Sequence, residues 1–402
     1  MSVLSAIKVL DMTRVVAGPM ATQCLGDFGA DVIKVERPGE GDDVRHVGPP
    51  WLIDKDGFET RESTYFQAVN RNKRSIAVNF QTEAGAAILR DLAAGADIFV
   101  ENFRPSTLAK YGLDYQSLKQ VNPGLIYCSV SGFGQTGPYS TRSGYDFLMQ
   151  AMSGLMSVTG EPDGPPMRVG VPIADILAGK DAVIGILLAL RHRDQTGEGQ
   201  HIDISLFESQ VAAMANTFTA WFNGRFEMPR TANDHPSASP YGVYPTLDGY
   251  LLVATFNNRE FARLASAVGR ADWMDNPDFN TMGARVAHRE ELAAELTEVL
   301  AQHTREHWIN LLNPAGVSCG PINRMGDLEQ DPHFIARGIE VKLPHALSGE
   351  IAVAASPIRC TGSPAEYRLG PPVIGQDTVE VLREMLGVDE DAFAKLVEKG
   401  VL

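Results

Sequence analysis

No stretch of this 402-residue sequence stays apolar long enough to cross a bilayer. The most apolar long run, Asp181 to Leu190, is about half the length of a spanning helix. The opening residues MSVLSAIKVLDM lack the basic-then-apolar layout of a secretory signal, so a cytoplasmic protein with no membrane partner is expected. Cysteine is scarce. Cys24, Cys128, Cys319 and Cys360 lie far apart, with no CxxC pair and no zinc-type spacing, which points to reduced thiols and no metal. Positive charge is also short: 35 Lys and Arg stand against 50 Asp and Glu, and the net −15 excludes nucleic acid as a partner of the whole surface. Familiar motifs are missing too. There is no GxGxxG after the first strand, no GxxxxGKS/T, no GxSxG, no HExxH and no DxDxDG loop.

What is present is an ordinary globular composition, 44% hydrophobic, in a chain long enough for two domains. Short apolar runs alternate with amphipathic segments in the first half. IKVL, VIKV, IFV and LIYCSV read as strands, while Met20 to Phe28 and Glu83 to Ala94 read as helices. That alternation predicts βαβ units and a parallel sheet, whose ligands bind beyond the carboxyl ends of the strands. Residues 174–193 form a strongly apolar helix, stopped by Thr196-Gly197, and HIDISLF then reads as a strand. Gly224 to Pro240 is polar and proline-rich, a domain connection. Beyond it come a hairpin about Leu247-Asp248-Gly249, helical patterns over 258–312, and further strand-like pieces, IEVKLP and IAVAASPI.

Three local basic clusters stand out against the acidic whole: Arg37; Arg71, Lys73 and Arg74 in NRNKRS; and Arg104 and Lys110 around ENFRPS. Each lies next to a predicted strand, so together they suit a ligand with several phosphates; the alternative is a set of solvated surface charges. Asp175 stands at the start of the apolar helix. It reads either as a helix cap or as a carboxylate nucleophile beside free N–H groups. Asp146 is a rival acid that would cap the helix after it. His303 and His307 are one helical turn apart with no third ligand in reach.

Read in order, IKVLDMTRVVAGPMATQCLGDFGADVIKVERPGEGD, NRNKRSIAVNF, ADIFVENFRPSTLAKYGLD, NPGLIYCSVSGFGQTGPY, ADILAG, RHRDQTGEGQHIDISLFES, YGVYPTLDGYLLVA and PPVIGQDT resemble the class III CoA-transferases. This is the CaiB/BaiF family, which takes in formyl-CoA transferase, carnitine CoA-transferase and the α-methylacyl-CoA racemases. The resemblance implies an α/β fold: a Rossmann-like large domain built from both chain ends, a smaller inserted α+β domain, and an interlocked homodimer. On this chain that places the large domain at 1–200, a linker at 201–224, the small domain at 225–330, and a return to the large domain over 331–402. It makes Asp175 the nucleophile, forming a mixed anhydride and then an aspartyl-CoA thioester. It lays the CoA along Val15, Val16, Arg37, Asn72, Lys73, Asn102, Phe103, Arg104 and Lys110. No permanent cofactor is implied; CoA thioesters are substrates, an acyl-CoA donor paired with a carboxylate acceptor.

Departures from the family's pattern narrow the reading. The racemases place histidine in a Gly-His-Asp phrase where Gly144-Tyr145-Asp146 stands, and tyrosine is a poor proton exchanger at neutral pH. No glycine run follows residue 224, and Arg14-Val15-Val16 replaces His-Val-Gln, which disfavours oxalate. A guanidinium at Arg14 would clamp a second acid group, with Gly132 and Tyr145 as further substrate contacts. The expected donor is succinyl-CoA and the expected acceptor a small dicarboxylate or sulfinate analogue. An acyl-CoA hydrolase, or a protein that only binds CoA, remains the alternative from another class.

Overall fold

The computed structural model describes residues 2–402. Six strands make one sheet: β1 (Lys8–Asp11), β2 (Asp31–Glu36), β3 (Lys73–Ala77), β4 (Ile98–Glu101), β5 (Ile126–Ser131) and β6 (His201–Ser205). Their order is β3-β2-β1-β4-β5-β6, and every neighbouring pair is parallel. This is a doubly wound order, as the alternation of strands and helices requires. The strand order reverses between β1 and β4, where Val9 is level with Ile98 and Asp11 with Val100. Loops leaving these two strands diverge and open a crevice at their carboxyl ends.

The helices between the strands are α1 (Ala17–Asp27), α2 (Glu83–Ala94), α3 (Tyr115–Val121), α4 (Asp146–Met152) and α5 (Ile173–Thr196). Local chemistry sets their ends. Thr82 accepts the Gly85 N–H to open α2, Asp114 does the same for α3, and Gly197 at φ +77° stops α5. One face of the sheet packs Val9, Val32, Ile98, Val100, Ile126 and Cys128 against α1 and α5. The other packs Leu10, Ile33, Phe99 and Tyr127 against α2, α3 and the C-terminal Val381, Leu382 and Val401. Both faces are covered, so β4 is buried along its whole length and reads in sequence as an apolar run rather than an alternation. Small residues let α1 and α5 meet closely: a Cβ on Gly179 would lie 2.7 Å from the Ala17 carbonyl oxygen.

Two expectations change. Residues 201–224, read as a linker, hold β6 followed by α6 (Leu206–Ala213) and α7 (Ala215–Gly224). HIDIS pairs with β5, His201 opposite Tyr127, and becomes the sheet's last strand. The NRNKRS cluster does not form an exposed basic loop, because its lysine begins β3 on the far side of β2. The glycines at 132, 134 and 137 spell GxGxxG after β5, but turns follow them and the next regular helix begins only at Asp146, so no helix opens on that loop.

The chain divides into two compact units. The first comprises residues 1–153, 169–215 and 337–402; the second comprises 154–168 and 216–336. The second carries a three-stranded antiparallel sheet of β7 (Tyr241–Thr246), β8 (Gly249–Ala254) and β9 (Ser318–Pro321). Its own core holds Leu251, Phe261, Trp273, Leu296 and Trp308. Among the described residues no helix is long and apolar enough to cross a membrane.

Candidate active site

The crevice predicted by the strand order is occupied by residues 12–16 after β1 and 102–108 after β4. Two cavities share it. One, of about 370 Å³, is lined by Val15, Asn102, Arg104, Gly132, Arg142, Tyr145 and Asp175 among others. The second, of about 580 Å³, takes in Arg37, Phe80, Lys110 and Tyr111. Arg14 and Phe103 line both, with the Arg14 guanidinium 4.9 Å from the centre of the Phe103 ring.

Asp175 is the third residue of α5, but it does not cap that helix: Pro172 is the N-cap and no side chain caps it there. The capping acid is Asp146, from α4. Its Oδ1 accepts the Ala174 N–H at 2.8 Å, and its Oδ2 accepts from Gln150 Nε2 at 2.7 Å. Asp146 thus serves α5 and not, as expected, the helix it begins. The Asp175 carboxylate faces across to the first N–H of α1, at Ala17. Burial, with the charge of Asp146 adding to it, pushes the Asp175 carboxyl up to about 7, while the Ala17 N–H works the other way. Two helix N-termini converge on this carboxylate, a setting that favours negative charge. Tyr65 faces the same pair of acids; burial first, then Asp175 and Asp146, raise its phenol.

The expected ligand contacts fall into two groups. Arg14, Val15, Arg37, Asn102, Phe103, Arg104, Lys110, Gly132 and Tyr145 line one cavity or the other, as does Asp175. Val16, Asn72 and Lys73 line neither. Lys73 is fully buried, its Nζ donating to Asp11 Oδ2, Pro19 O and Asn70 Oδ1 at 2.8–3.0 Å. Asn72, at φ +57°, gives its amide to Asp27 Oδ1 and Glu366 O and accepts the N–H groups of Arg368 and Leu369. A buried cation already holding three acceptors has no donor left for a phosphate. Val16 is buried and precedes α1.

The cavity cations differ in what holds them. Asp43 bridges two, taking Arg14 Nη1 on one oxygen at 2.8 Å and Arg37 Nη2 on the other at 3.0 Å. Arg104 donates to Ser143 Oγ. Arg142 has neither an ion pair nor a hydrogen bond on its guanidinium among the described residues, and lies 4.5 Å from the centre of the Tyr139 ring. Sequence reasoning missed Tyr65, Asp43 and Arg142; only Arg142, in the loop after the glycine-rich turn, carried a local signal. That turn meets the 140–145 loop through two glycines, since a Cβ on Gly132 would lie 2.6 Å from the Gly144 Cα.

In the second unit, Asp278, His288 and Glu291 gather within 4.8 Å. The two carboxylates flank opposite ring nitrogens, 3.5 Å and 3.1 Å away, and so hold the imidazole rather than converge on a point. The His303 and His307 rings stack with centroids 4.1 Å apart.

Known proteins match across nearly the entire chain. A family model described as CoA-transferase family III covers residues 4–378. A succinate–glutarate CoA-transferase of Agrobacterium fabrum is 42% identical over 389 residues, 97% of each chain. The human succinyl-CoA:glutarate CoA-transferase is 40% identical over 399 residues, 99% of this chain and 90% of that one. Among solved structures, a CaiB/BaiF family protein from Brucella suis superposes with a TM-score of 0.86 at 41% identity, covering 96% of this chain and 99% of that one.

Proposed function

Because the chain belongs to CoA-transferase family III and is an enzyme of that type, we propose that it passes CoA from succinyl-CoA to a small dicarboxylate through a covalent intermediate on Asp175. The observation that carries this reading is the Asp175 carboxylate, set in the 370 Å³ cavity with the first N–H of α1 facing it. One Asp175 oxygen attacks the donor thioester carbonyl, giving a mixed anhydride and CoA thiolate. The thiolate attacks the aspartyl carbonyl; an aspartyl-CoA thioester forms and the donor acid leaves as carboxylate. The acceptor carboxylate then attacks this thioester, releasing thiolate and forming a second anhydride. Attack of the thiolate on the acceptor's acyl carbon completes acceptor-CoA and frees Asp175. Bonds made and broken balance, so no net proton, electron or ATP is required. The Ala17 N–H supports charge on the aspartyl oxygen as each carbonyl becomes tetrahedral.

The CoA would lie along both cavities. Arg37 and Lys110 suit its phosphates, the rings of Phe80 and Tyr111 its adenine, and Val15 with the 102–104 turn its pantetheine arm. Glutarate is the acceptor the named relatives suggest. For its far carboxylate Arg142 is better placed than Arg14, because Asp43 already occupies one Arg14 nitrogen. A racemase would need a base for the α-proton; no histidine lines either cavity among the described residues, and the Tyr145 side chain is exposed. We also read the assembly as an interlocked homodimer, in which the apolar outer face of α5 would be covered. Peptide mass spectrometry after incubation with succinyl-CoA and no acceptor, with borohydride trapping, tests the mechanism. A CoA thioester or its reduced product is expected on the Asp175 peptide and absent from Asp175→Ala. Labelling elsewhere, or none from a panel of acyl-CoA donors, would remove the covalent reading.

A further inference from the structure

Val15 adopts φ +70°, a left-handed backbone that a β-branched residue rarely takes. Such a conformation persists only where its surroundings over-determine it. Here the peptides from residue 13 to 15 are held by side chains from β2 and from the segments that follow β2 and β4. Lys34, on β2, donates to the Thr13 carbonyl at 2.9 Å. Asn102, just beyond β4, grips Arg14 at both ends: its Oδ1 accepts the Arg14 N–H at 2.9 Å and its Nδ2 donates to the Arg14 carbonyl at 2.6 Å. Asp42 accepts the Val15 N–H at 3.0 Å on Oδ1 and Lys34 Nζ at 2.9 Å on Oδ2. Lys34 and Asp42 are fully buried as a pair, and although burial works against it, Lys34 and the N–H groups of Val15 and Val44 hold the Asp42 carboxyl below its ordinary value. Immediately after this clamped turn, α1 begins at Ala17, whose carbonyl is pressed against Gly179.

We propose that Asn102 and Asp42 are positioning residues for the reaction: by clamping Arg14 and Val15 they fix the start of α1 so that the Ala17 N–H faces the Asp175 carboxylate. This rests on the nucleophilic role given to Asp175 above. The amide of Asn102 is thereby committed to protein backbone, a different task from the CoA contact the family resemblance implies. Among the described residues neither Asn102 nor Asp42 has a hydrogen bond or ion pair to Asp175, so their effect would pass through the turn. Asp146 from α4 and Tyr65 from the short helix at Thr64–Gln67 face Asp175, and Arg14, Asp43, Arg104, Arg142 and Tyr145 line the same cavity; among the described residues the clamp has no hydrogen bond to Asp146 or Tyr65. Slackening the clamp therefore removes one favourable partner of the Asp175 anion and leaves its unfavourable ones in place.

The test is the pH dependence of Asp175 adduct formation from succinyl-CoA in a single turnover, in wild type, Asn102→Ala, Asp42→Ala and Asp42→Asn. Leu118→Ala, a buried change in α3 away from the site, serves as a control for lost stability. Asn102→Ala should slow the adduct about 3- to 10-fold at pH 6.5 and less than about 2-fold at pH 9, moving the midpoint upward. Asp42→Asn keeps an acceptor for the Val15 N–H and should shift the midpoint less than Asp42→Ala. Leu118→Ala should lower the melting temperature with the midpoint unmoved. Asn102→Ala, unlike the Asp42 variants, leaves no buried lysine unpaired, so it keeps the proposal testable if the Asp42 variants do not fold. A uniform loss across pH in Asn102→Ala, or the same shift in Leu118→Ala, would overturn the proposal while leaving the transferase reading intact. Failure of the wild type to form any adduct would instead sink that reading, and the clamp's role with it.

Discussion

The Asp175 carboxyl is destabilised where it sits, and that has a measurable sign. Burial and Asp146 raise it from its ordinary value near 3.8 to about 7. The folded state therefore holds its proton more tightly than the unfolded chain, and stability is lost as pH rises between those values. Asp175→Asn should form no adduct, yet at pH 8 it should exceed wild type in stability by on the order of 2 kcal/mol, a gain that fades as pH falls from about 7 to about 4. Urea unfolding at the two pH values checks this. Lys73 gives the opposite case. It supports Asp11, whose carboxyl burial would raise but which Lys73, Lys34 and two threonine hydroxyls hold at about 2. Lys73→Met removes the ion-pair partner of that buried charge and should cost about 3–5 kcal/mol of unfolding free energy. Lys110→Ala, at an exposed cation, should leave stability within about 0.5 kcal/mol and raise the KM for the acyl-CoA. Arg142→Ala should raise the KM for glutarate at least about 10-fold and that for a monocarboxylate of similar length by less than about 3-fold. Equal effects on both acids would detach Arg142 from specificity. Asp175 was legible in the sequence because a helix start announces itself locally. Its surroundings were not: Ala17 carries no local mark and Asp146 stands out only as a rival acid, while the distances of 158 and 29 residues hide that both reach Asp175.

At the scale of elements, the site depends on how closely two helices meet. A Cβ at Gly179 would lie 2.7 Å from the Ala17 oxygen, so Gly179→Ala must push the start of α1 away from α5. Overpacking of this kind costs about 1–3 kcal/mol. The adduct rate should fall with it, and Gly179→Ser should fall further; unchanged rates with normal melting would mean the helices yield without moving Ala17. The strands were largely readable because β1, β2, β4 and β5 are apolar runs bounded by turns. β3 was hidden by its own chemistry. A strand headed Lys73-Arg74 reads as a solvated basic loop unless one knows that Asp11 waits inside for the lysine and Asp31, at the head of β2, for the arginine. The hairpin of Trp51–Ile53 with Glu59–Ser63 was equally silent, since ETRES has no apolar face.

The whole molecule carries −15, yet the cavities gather Arg14, Arg37, Arg104, Lys110 and Arg142. That contrast was visible in the sequence as clusters of base on an acidic chain; which clusters turn inward was not. On α5, Ile184, Leu187 and Leu188 are exposed over 45–65% of their surface. Sedimentation should give about twice the 43.6 kDa chain mass, and Leu188→Asp should lower the dimer's thermal stability or split it; a monomer in the wild type would end the dimer reading. Asp43, finally, seats an anion of the protein's own between two cavity cations, with Arg14 on one oxygen and Arg37 on the other. If those guanidiniums take the phosphates of CoA, as proposed for Arg37, an arriving nucleotide would meet a filled chair and a departing one would be replaced rather than missed. Part of the attraction would then be surrendered on entry and returned on exit, which would suit a ligand that has to be released as well as held.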